Sequence, residues 1–326
     1  MFGKRIKKLQ LLLDKEGLDS ALITHKSDIF YYTGFDAEEG AFLVINTGRP
    51  KLLVSPLLNE AENVKNVDVF FYNKSEDIQK QLNGVVGFDE SSLKAGLFLR
   101  LKKKAKLKKA KDIIKKPREL KDVYEIEQIK KGIKINKKIL NELDILGRRE
   151  NAIAREIEIK MLEAGGEKAF DIIIASGKNS SYIHYKPKGR IVRKNGLIIV
   201  DFGARLNNYC TDMTRAFCFN PGKKEKGILD DVKNMQEELI EKVCAGINFK
   251  QLQNLYSRLM GKKGYKTMHS VGHGVGLDVH ERPAIGDTLK ENMVITIEPG
   301  IYIKNFGGCR IEDMILVKKG KAKVLS

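Results

Sequence analysis

The stretch HSVGHGVGLDVHERP, His269 to Pro283, holds three of the chain's five histidines, at 269, 273 and 280, and glycines at 272, 274 and 276. Imidazoles serve as metal ligands or acid–base groups, and glycines let backbone or substrate approach closely. Three chemistries compete for such a segment: a structural zinc site, a phosphate-cradling loop, or one wall of an open metal centre. A structural zinc site needs cysteines at ligand spacing, and Cys210, Cys218, Cys244 and Cys309 form no CxxC pair. A phosphate loop reads GxxxxGK[ST], or GxGxxG between a strand and a helix, and GHGVG fits neither. The open metal centre is left, and its other ligands must come from elsewhere in the chain.

Acids stand where burial is expected. Asp201 follows the apolar run LIIV, Asp212 lies between YCT and MTRAF, Glu298 ends VITI, and Glu312 sits inside CRIEDMILV. A buried carboxylate is costly unless it is paired or bound to a cation. RLNN (205–208) is a turn candidate that lays the strand of Asp201 beside that of Asp212. KNFGG (304–308) does the same for Glu298 and Glu312. One such acid reads as a cap or a salt-bridge partner. All four, each flanked by apolar strand residues, read as a cluster whose repulsion cations neutralise. Oxygen-rich ligands with few imidazoles favour Mn, Co, Fe or Mg over a thiolate-type zinc site. His273, between its glycines, is the candidate that completes a two-metal cluster.

The bulk properties set the frame. A chain of 326 residues suggests two domains, and 42% hydrophobic with 31% charged residues reads as soluble and globular. The net charge of +18 permits contact with nucleic acid. The lysines are spread and mixed with acids, however, and the dense run LKKKAKLKKAK (101–111) has no aromatic for base stacking. A solvated helix end and loop is the plainer reading of that run, and no nucleic-acid partner is expected. The cysteines form neither a zinc ribbon nor a disulfide framework, which fits a reducing compartment. The first residues, with Ile6, Leu9, Leu12 and Leu13 at helical spacing, read as an amphipathic helix too short for a signal segment or a membrane span. The expected location is the cytoplasm.

The first third alternates short β-rich runs (20–24, 40–46, 50–55, 67–72 and 84–88) with helical pieces, which is an α/β pattern. Pro117 marks a break. Beyond it, residues 121–146 predict a long helix with Val123, Ile126, Ile129, Ile133, Ile135 and Ile139 on its apolar face, and 150–166 a second helix. Strand-like runs at 170–176, 196–204, 209–219, 293–303 and 309–317, around helices at 226–246 and 249–264, predict an α+β domain. The domains expected are 1–119 and 120–326.

VDFGARLNNYCTDMTRAF (200–217), HSVGHGVGLDVHERP, TIEPGIY (296–302) and GGCRIEDM (307–314) resemble the pita-bread metallopeptidases, above all the prolidase and aminopeptidase P group. SGKNSSYIHYKP (176–187), SDIFYYTGF (27–35) and PRELKDVYEIEQIKKGIKI (117–135) also resemble that group. The resemblance implies a creatinase/prolidase-like α/β N-terminal domain and a pita-bread (creatinase/aminopeptidase-like) catalytic domain. It implies a dinuclear site with Asp201, Asp212, His273, Glu298 and Glu312 as ligands, Asp212 and Glu312 bridging, and Mn or Co as the metals, with Zn or Fe as alternatives. Glu298 would be the acid–base group. His184 and His280 would be substrate-site and catalytic histidines, and Arg310 a basic substrate-site residue. His269 matches a histidine whose place is behind the ligands. The activity implied is metal-dependent hydrolysis of Xaa-Pro bonds in short proline-containing peptides, by a homodimer. Some prolidase-like dipeptidases carry an arginine just after the His-Glu-x-Pro segment. Ala284 stands there in this chain, with Arg282 before the proline, so dipeptidase and longer-peptide aminopeptidase both stay open. The rival readings are a non-catalytic pita-bread interaction module and a basic nucleic-acid-binding scaffold.

Overall fold

The computed structural model describes residues 1–37 and 39–326, and the chain divides into two units, Met1–Arg118 and Glu119–Ser326. The helices of the first are α1 (Phe2–Lys15), α2 (Lys26–Thr33), α3 (Ser75–Gln79), α4 (Ala95–Leu101) and α5 (Lys111–Lys115). Its strands are β1 (Ser20–Ile23), β2 (Ala41–Asn46), β3 (Lys51–Val54), β4 (Asp68–Phe71), β5 (Val85–Phe88) and β6 (Lys106–Lys109). They form one mixed sheet in the order β4-β3-β2-β1-β5-β6, in which β2 is antiparallel to both its neighbours. All of β1 is buried, which requires cover on both faces. Leu22, Val44, Leu53, Val86 and Phe88 pack with Ile78, Leu82, Leu93 and Leu101, while α1 turns Ile6, Leu9 and Leu13 inward.

Two features of this unit revise the sequence reading. The lysine run is a helix end and loop only in part: Leu101 closes α4 and 102–105 turn, but Lys106–Lys109 form β6, an edge strand. Exposed lysines are a common way of keeping an edge from pairing further. The segments SDIFYYTGF and Pro117-Arg118 belong to one buried clamp. Tyr31 Oη donates to the Pro117 carbonyl and Tyr32 Oη to the Ile114 carbonyl, each at 2.7 Å. Arg118 pairs with Asp28, which is fully buried.

The second unit uses one plan twice, a helix pair followed by two long strands that each break once. The first pass is α6 (Val123–Glu142), α7 (Glu150–Glu163), β7 (Glu167–Lys168), β8 (Ile173–Ser176), β9 (Ile198–Phe202), β10 (Ala204–Leu206), β11 (Tyr209–Cys210) and β12 (Met213–Phe217). The second is α8 (Lys223–Glu241), α9 (Phe249–Lys262), β13 (Val294–Ile297), β14 (Gly300–Ile303), β15 (Gly307–Arg310), β16 (Asp313–Leu316) and the short β17 (Lys323–Val324). Ile153, Ile157 and Met161 of α7 pack on Ile174, Ile198, Val200 and Met213. Val232, Leu239, Leu252 and Tyr256 of α8 and α9 pack on Ile295, Ile297, Ile301 and Ile315. Val123, expected on the apolar face of α6, is 83% exposed. It is the first helical residue, inside the Asp122–Glu125 capping box, and precedes the turns that meet the core. Among the described residues no helix is long and apolar enough to cross a membrane.

The breaks are the correction that matters most. Runs 196–204, 209–219, 293–303 and 309–317 are not continuous strands. β9 and β12 pair in one sheet, while their continuations β10 and β11 pair in another, closed by Asn207 and Asn208 at positive φ. β13 pairs with β16, and their partners in sequence, β14 and β15, form a separate hairpin. Asp212, Glu298 and Glu312 fall in these breaks rather than inside strands. Their backbone N–H groups find partners across the switch: Glu312 donates to the Thr214 carbonyl at 3.1 Å and Glu298 to that of Val271 at 2.9 Å.

The His273 segment answers to the same crowding. It runs beside β13, with Thr296 N–H donating to the His273 carbonyl at 2.8 Å. A Cβ on Gly272 would lie 2.0 Å from the Thr296 carbonyl oxygen, and one on Gly274 2.2 Å from that of Arg282. The glycines of the opening stretch are therefore required by close backbone approach. Gly272→Ala is expected to cost about 1–3 kcal/mol and to lower the thermal midpoint. Gly261→Ala, on the exposed face of α9 with open space around it, is expected to raise the midpoint slightly. Calorimetry on the pair checks both directions.

Candidate metal centre

The two broken hairpins meet at Thr214. It faces Asp201 across the β9–β12 pairing and bridges to Glu312. Its hydroxyl donates to Glu312 Oε2 at 2.7 Å. From the other side, His273 Nε2 lies 3.6 Å from Asp212 Oδ2 and 3.5 Å from Glu298 Oε1. One ligand atom each from Asp212, His273 and Glu312 lies within 4.8 Å of the others. Asp201 joins this group from β9, with its Oδ2 held by the Arg310 guanidinium. Among the described residues, Asp201 Oδ1 and Glu312 Oε1 have no hydrogen-bond partner, though both are buried.

The electrostatics follow from burial and like charge. Burial, with the Asp212 and Asp201 charges adding to it, pushes the Glu298 carboxyl up to about 8. Burial and then Glu312 and Asp201 raise Asp212 well above the usual carboxylate range. Burial and then Glu298 and Asp201 do the same to Glu312. Burial, then the neighbouring His280, lowers the His273 imidazole to about 4, so it is neutral at pH 7. Burial works against the charge of Arg310, yet Tyr302 and the surrounding acids hold its pKa above the usual value.

These residues fit divalent cations. His273 Nδ1 lies 3.2 Å from the Gly274 carbonyl, which can only accept, so the proton belongs on Nδ1. The Nε2 lone pair then faces carboxyl oxygens of Asp212 and Glu298, so acceptor meets acceptor unless a proton or a cation lies between them. A donor set of oxygens with one imidazole nitrogen is that of a hard or borderline divalent ion.

The remaining sequence candidates take distinct places. His184 and His280 are exposed and line the same cavity of about 430 Å³, with the His280 ring 4.2 Å from that of His273. His269 lines the same cavity, its Nε2 3.1 Å from the Tyr302 hydroxyl and its Nδ1 2.8 Å from the Ser270 carbonyl. Arg310 donates from Nη1 to Tyr302 Oη at 2.7 Å and from Nε to Thr214 Oγ1 at 3.1 Å, besides its bond to Asp201. Arg282, beside the position of Ala284, grips both oxygens of Asp287 at 3.0 and 2.9 Å. Thr214 and Tyr302 were not singled out from the sequence. The one available signal was their position inside the segments that carry the acids.

Residues 5–120 match the creatinase/prolidase N-terminal domain, and residues 127–319 match metallopeptidase family M24. The Xaa-Pro dipeptidase of Pyrococcus horikoshii is 35% identical, over 100% of this chain and 97% of its own. That of Pyrococcus furiosus is 33% identical, over 99% and 97%. Among solved structures, the prolidase from P. horikoshii superposes with a TM-score of 0.94 at 34% identity, covering 99% of this chain and 97% of that one. The X-Pro aminopeptidase from Thermotoga maritima does so at 0.89 and 30%, covering 98% and 97%. The α/β first unit and pita-bread second unit expected from the sequence stand on these likenesses.

Crowded acids have a consequence for the metal-free protein. Glu298, at about 8 against an ordinary 4.5, holds a proton in the folded state that the unfolded chain has released. His269 and His273, at about 4 against 6.5, act in the opposite sense, but only below about pH 6.5. Between 6.5 and 8 the folded state therefore binds more protons, and stability falls as pH rises. The thermal midpoint of chelator-treated protein is expected to drop across this window, and a divalent cation to flatten the drop. A midpoint that rises with pH in that window would contradict the crowding.

Proposed function

This chain belongs to metallopeptidase family M24, and from that premise we propose that it is an exopeptidase hydrolysing the Xaa-Pro bond of dipeptides or short peptides. The observation that carries the reading is the neutral His273 nitrogen facing the oxygens of Asp212 and Glu298, with Asp201 Oδ1 and Glu312 Oε1 left without partners among the described residues. Asp201, Asp212, His273, Glu298 and Glu312 would hold two divalent cations, with Asp212 and Glu312 shared. Mn or Co come first, Zn or Fe second. When bound, such ions make water acidic enough to deprotonate near neutral pH and polarise the scissile carbonyl.

Glu298 carries a proton to the leaving nitrogen. His280 and His184, at the cavity wall, donate to the substrate and to the developing oxyanion. Arg310 holds Asp201 and Tyr302 in place beside the substrate. The nitrogen of an Xaa-Pro bond is a tertiary amide without N–H, so a peptidase that grips that hydrogen fails there, while one acting through the carbonyl does not. Phe170, Ile173, Ile183 and Val279 give the cavity an apolar side suited to a pyrrolidine ring. The names borne by the Pyrococcus and Thermotoga relatives support the same substrate class. Both dipeptides and longer peptides fall within the reading, since Ala284 offers no cation and Arg282 is engaged by Asp287.

The same proposal takes 1–119 as the creatinase/prolidase-like domain and 120–326 as the catalytic domain of a cytoplasmic homodimer; light scattering on eluted protein checks the subunit number.

Protein loaded with Mn or Co is expected to cleave Xaa-Pro dipeptides or Xaa-Pro-Yaa tripeptides, and chelator to abolish the activity. Absence of turnover on both classes would overturn the proposal. Asp212→Asn and Glu312→Gln are each expected to lose bound metal and activity together, the latter by at least about a hundredfold. A variant retaining both would show that the shared ligands are misassigned.

A further inference from the structure

We infer that the buried carboxylate of Glu150, acting through the Tyr185 hydroxyl, positions His184 at the wall of the substrate cavity. The inference rests on the reading that gives His184 a role against substrate, and it concerns a side chain, Glu150, to which that reading assigns nothing.

His184 has little else to hold it. Residues 182–190 form neither helix nor strand. Backbone hydrogen bonds secure the segment at its ends, from Tyr182 N–H to the Asn179 carbonyl at 3.1 Å and from Asn151 N–H to the Lys188 carbonyl at 3.0 Å. Among the described residues, none is made by the backbone of 183–187. Exposure nevertheless alternates along this stretch, with Ile183, Tyr185 and Pro187 half-buried and Tyr182, His184 and Lys186 exposed. Ile183 and His184 form a turn, and both line the cavity beside Tyr185. Anchoring Tyr185 by its ring and its hydroxyl therefore fixes the backbone from which His184 projects.

Tyr185 is fixed twice. Its ring packs against the cluster of Ile173, Ala175 and Ile199. Its hydroxyl donates to Glu150 Oε2 at 3.0 Å and accepts from Asn179 Nδ2 at 2.8 Å. Burial, then the bond to Glu150, pushes the phenol up to about 12, so it stays a donor at neutral pH. Glu150 is itself fully buried, at the start of α7, with no basic side chain paired to it among the described residues. Its other oxygen accepts from Ser176 N–H at 2.8 Å and Ser176 Oγ at 2.7 Å, and Asn179 Nδ2 lies 3.2 and 3.3 Å from its two oxygens. Every one of these donors comes from Ser176–Tyr185, the segment that contains His184. A buried acid is a poor choice for packing alone. Its directional bonds define where the segment runs. The turn between is clamped from its far side, where Ser180 Oγ accepts from Gly308 N–H at 2.8 Å, two residues before Arg310.

Tyr185→Phe keeps the ring and its packing and deletes the tether. It is expected to lower kcat/KM on an Xaa-Pro dipeptide by about tenfold in the wild-type background, and by less than about twofold when His184 is already alanine, because the two changes act through one group. Equal factors in both backgrounds, or no effect in either, would overturn the inference. A second readout is independent of activity. With carbon-13 histidine incorporated, five ring signals are expected, and the one missing in His184→Ala is that of His184. In Tyr185→Phe this signal should shift or broaden while the other four hold. An unchanged His184 signal also overturns the inference. If the wild-type protein cleaved no Xaa-Pro peptide, the proposed function would fall, and the ring signal would still decide whether the tether orients His184.

Discussion

Like charge confined in a small buried space is the constraint on which the second unit depends. Asp212, Glu312 and Glu298 approach one another and an unprotonated imidazole nitrogen, and each carboxyl is driven towards its neutral form by burial and by the others. Nothing in apolar packing asks for such a grouping, and it would weaken a domain that had no cation to put there. The surrounding residues limit the cost without removing it. Thr214 gives its hydroxyl to Glu312, and Arg310 gives an N–H to Asp201, leaving one oxygen of each acid open.

The grouping is built by strands that change sheets. A regular strand sends alternate side chains to opposite faces, so it cannot deliver acids from several positions to one point without a local irregularity. At 211–212, 298–299 and 311–312 the chain leaves one pairing and enters another, and the acids project from those junctions. Backbone groups freed at the junctions are taken up by neighbours such as Thr214 and Val271. Gly203, where a Cβ would meet the Thr211 carbonyl oxygen at 1.7 Å, and Gly272 and Gly274 make the resulting proximity sterically possible.

Much of this was legible in the residues. The apolar runs located the strands to within a few positions, the Asn207-Asn208 turn closed the expected hairpin, and acids following apolar runs marked the cluster. The breaks were not legible, because a run such as CRIEDMILV has the same apolar character whether its two halves share one sheet or two. Lys106–Lys109 became an edge strand because β5 offered a partner, which the polar sequence does not announce. Thr214, Tyr302 and Glu150 escaped notice for a related reason. A threonine in a strand, a tyrosine after a glycine and a glutamate at a helix start are ordinary locally, and their bonds to Glu312, Arg310 and Tyr185 appear only when distant segments meet.

The sequence by itself determined the chemistry available: carboxylates set among apolar runs, one glycine-flanked imidazole, no thiolate set, and an order of motifs that resembles the pita-bread metallopeptidases. Those are properties of residue type and spacing, carried along the chain without folding. Tertiary structure alone decided the geometry: which oxygens stay unpartnered, which histidine nitrogen faces them, and how a carboxylate buried at the start of α7 steers a histidine on an irregular segment. Such outcomes depend on burial and on contacts between residues far apart in the chain, and neither exists until the sheets have closed around them.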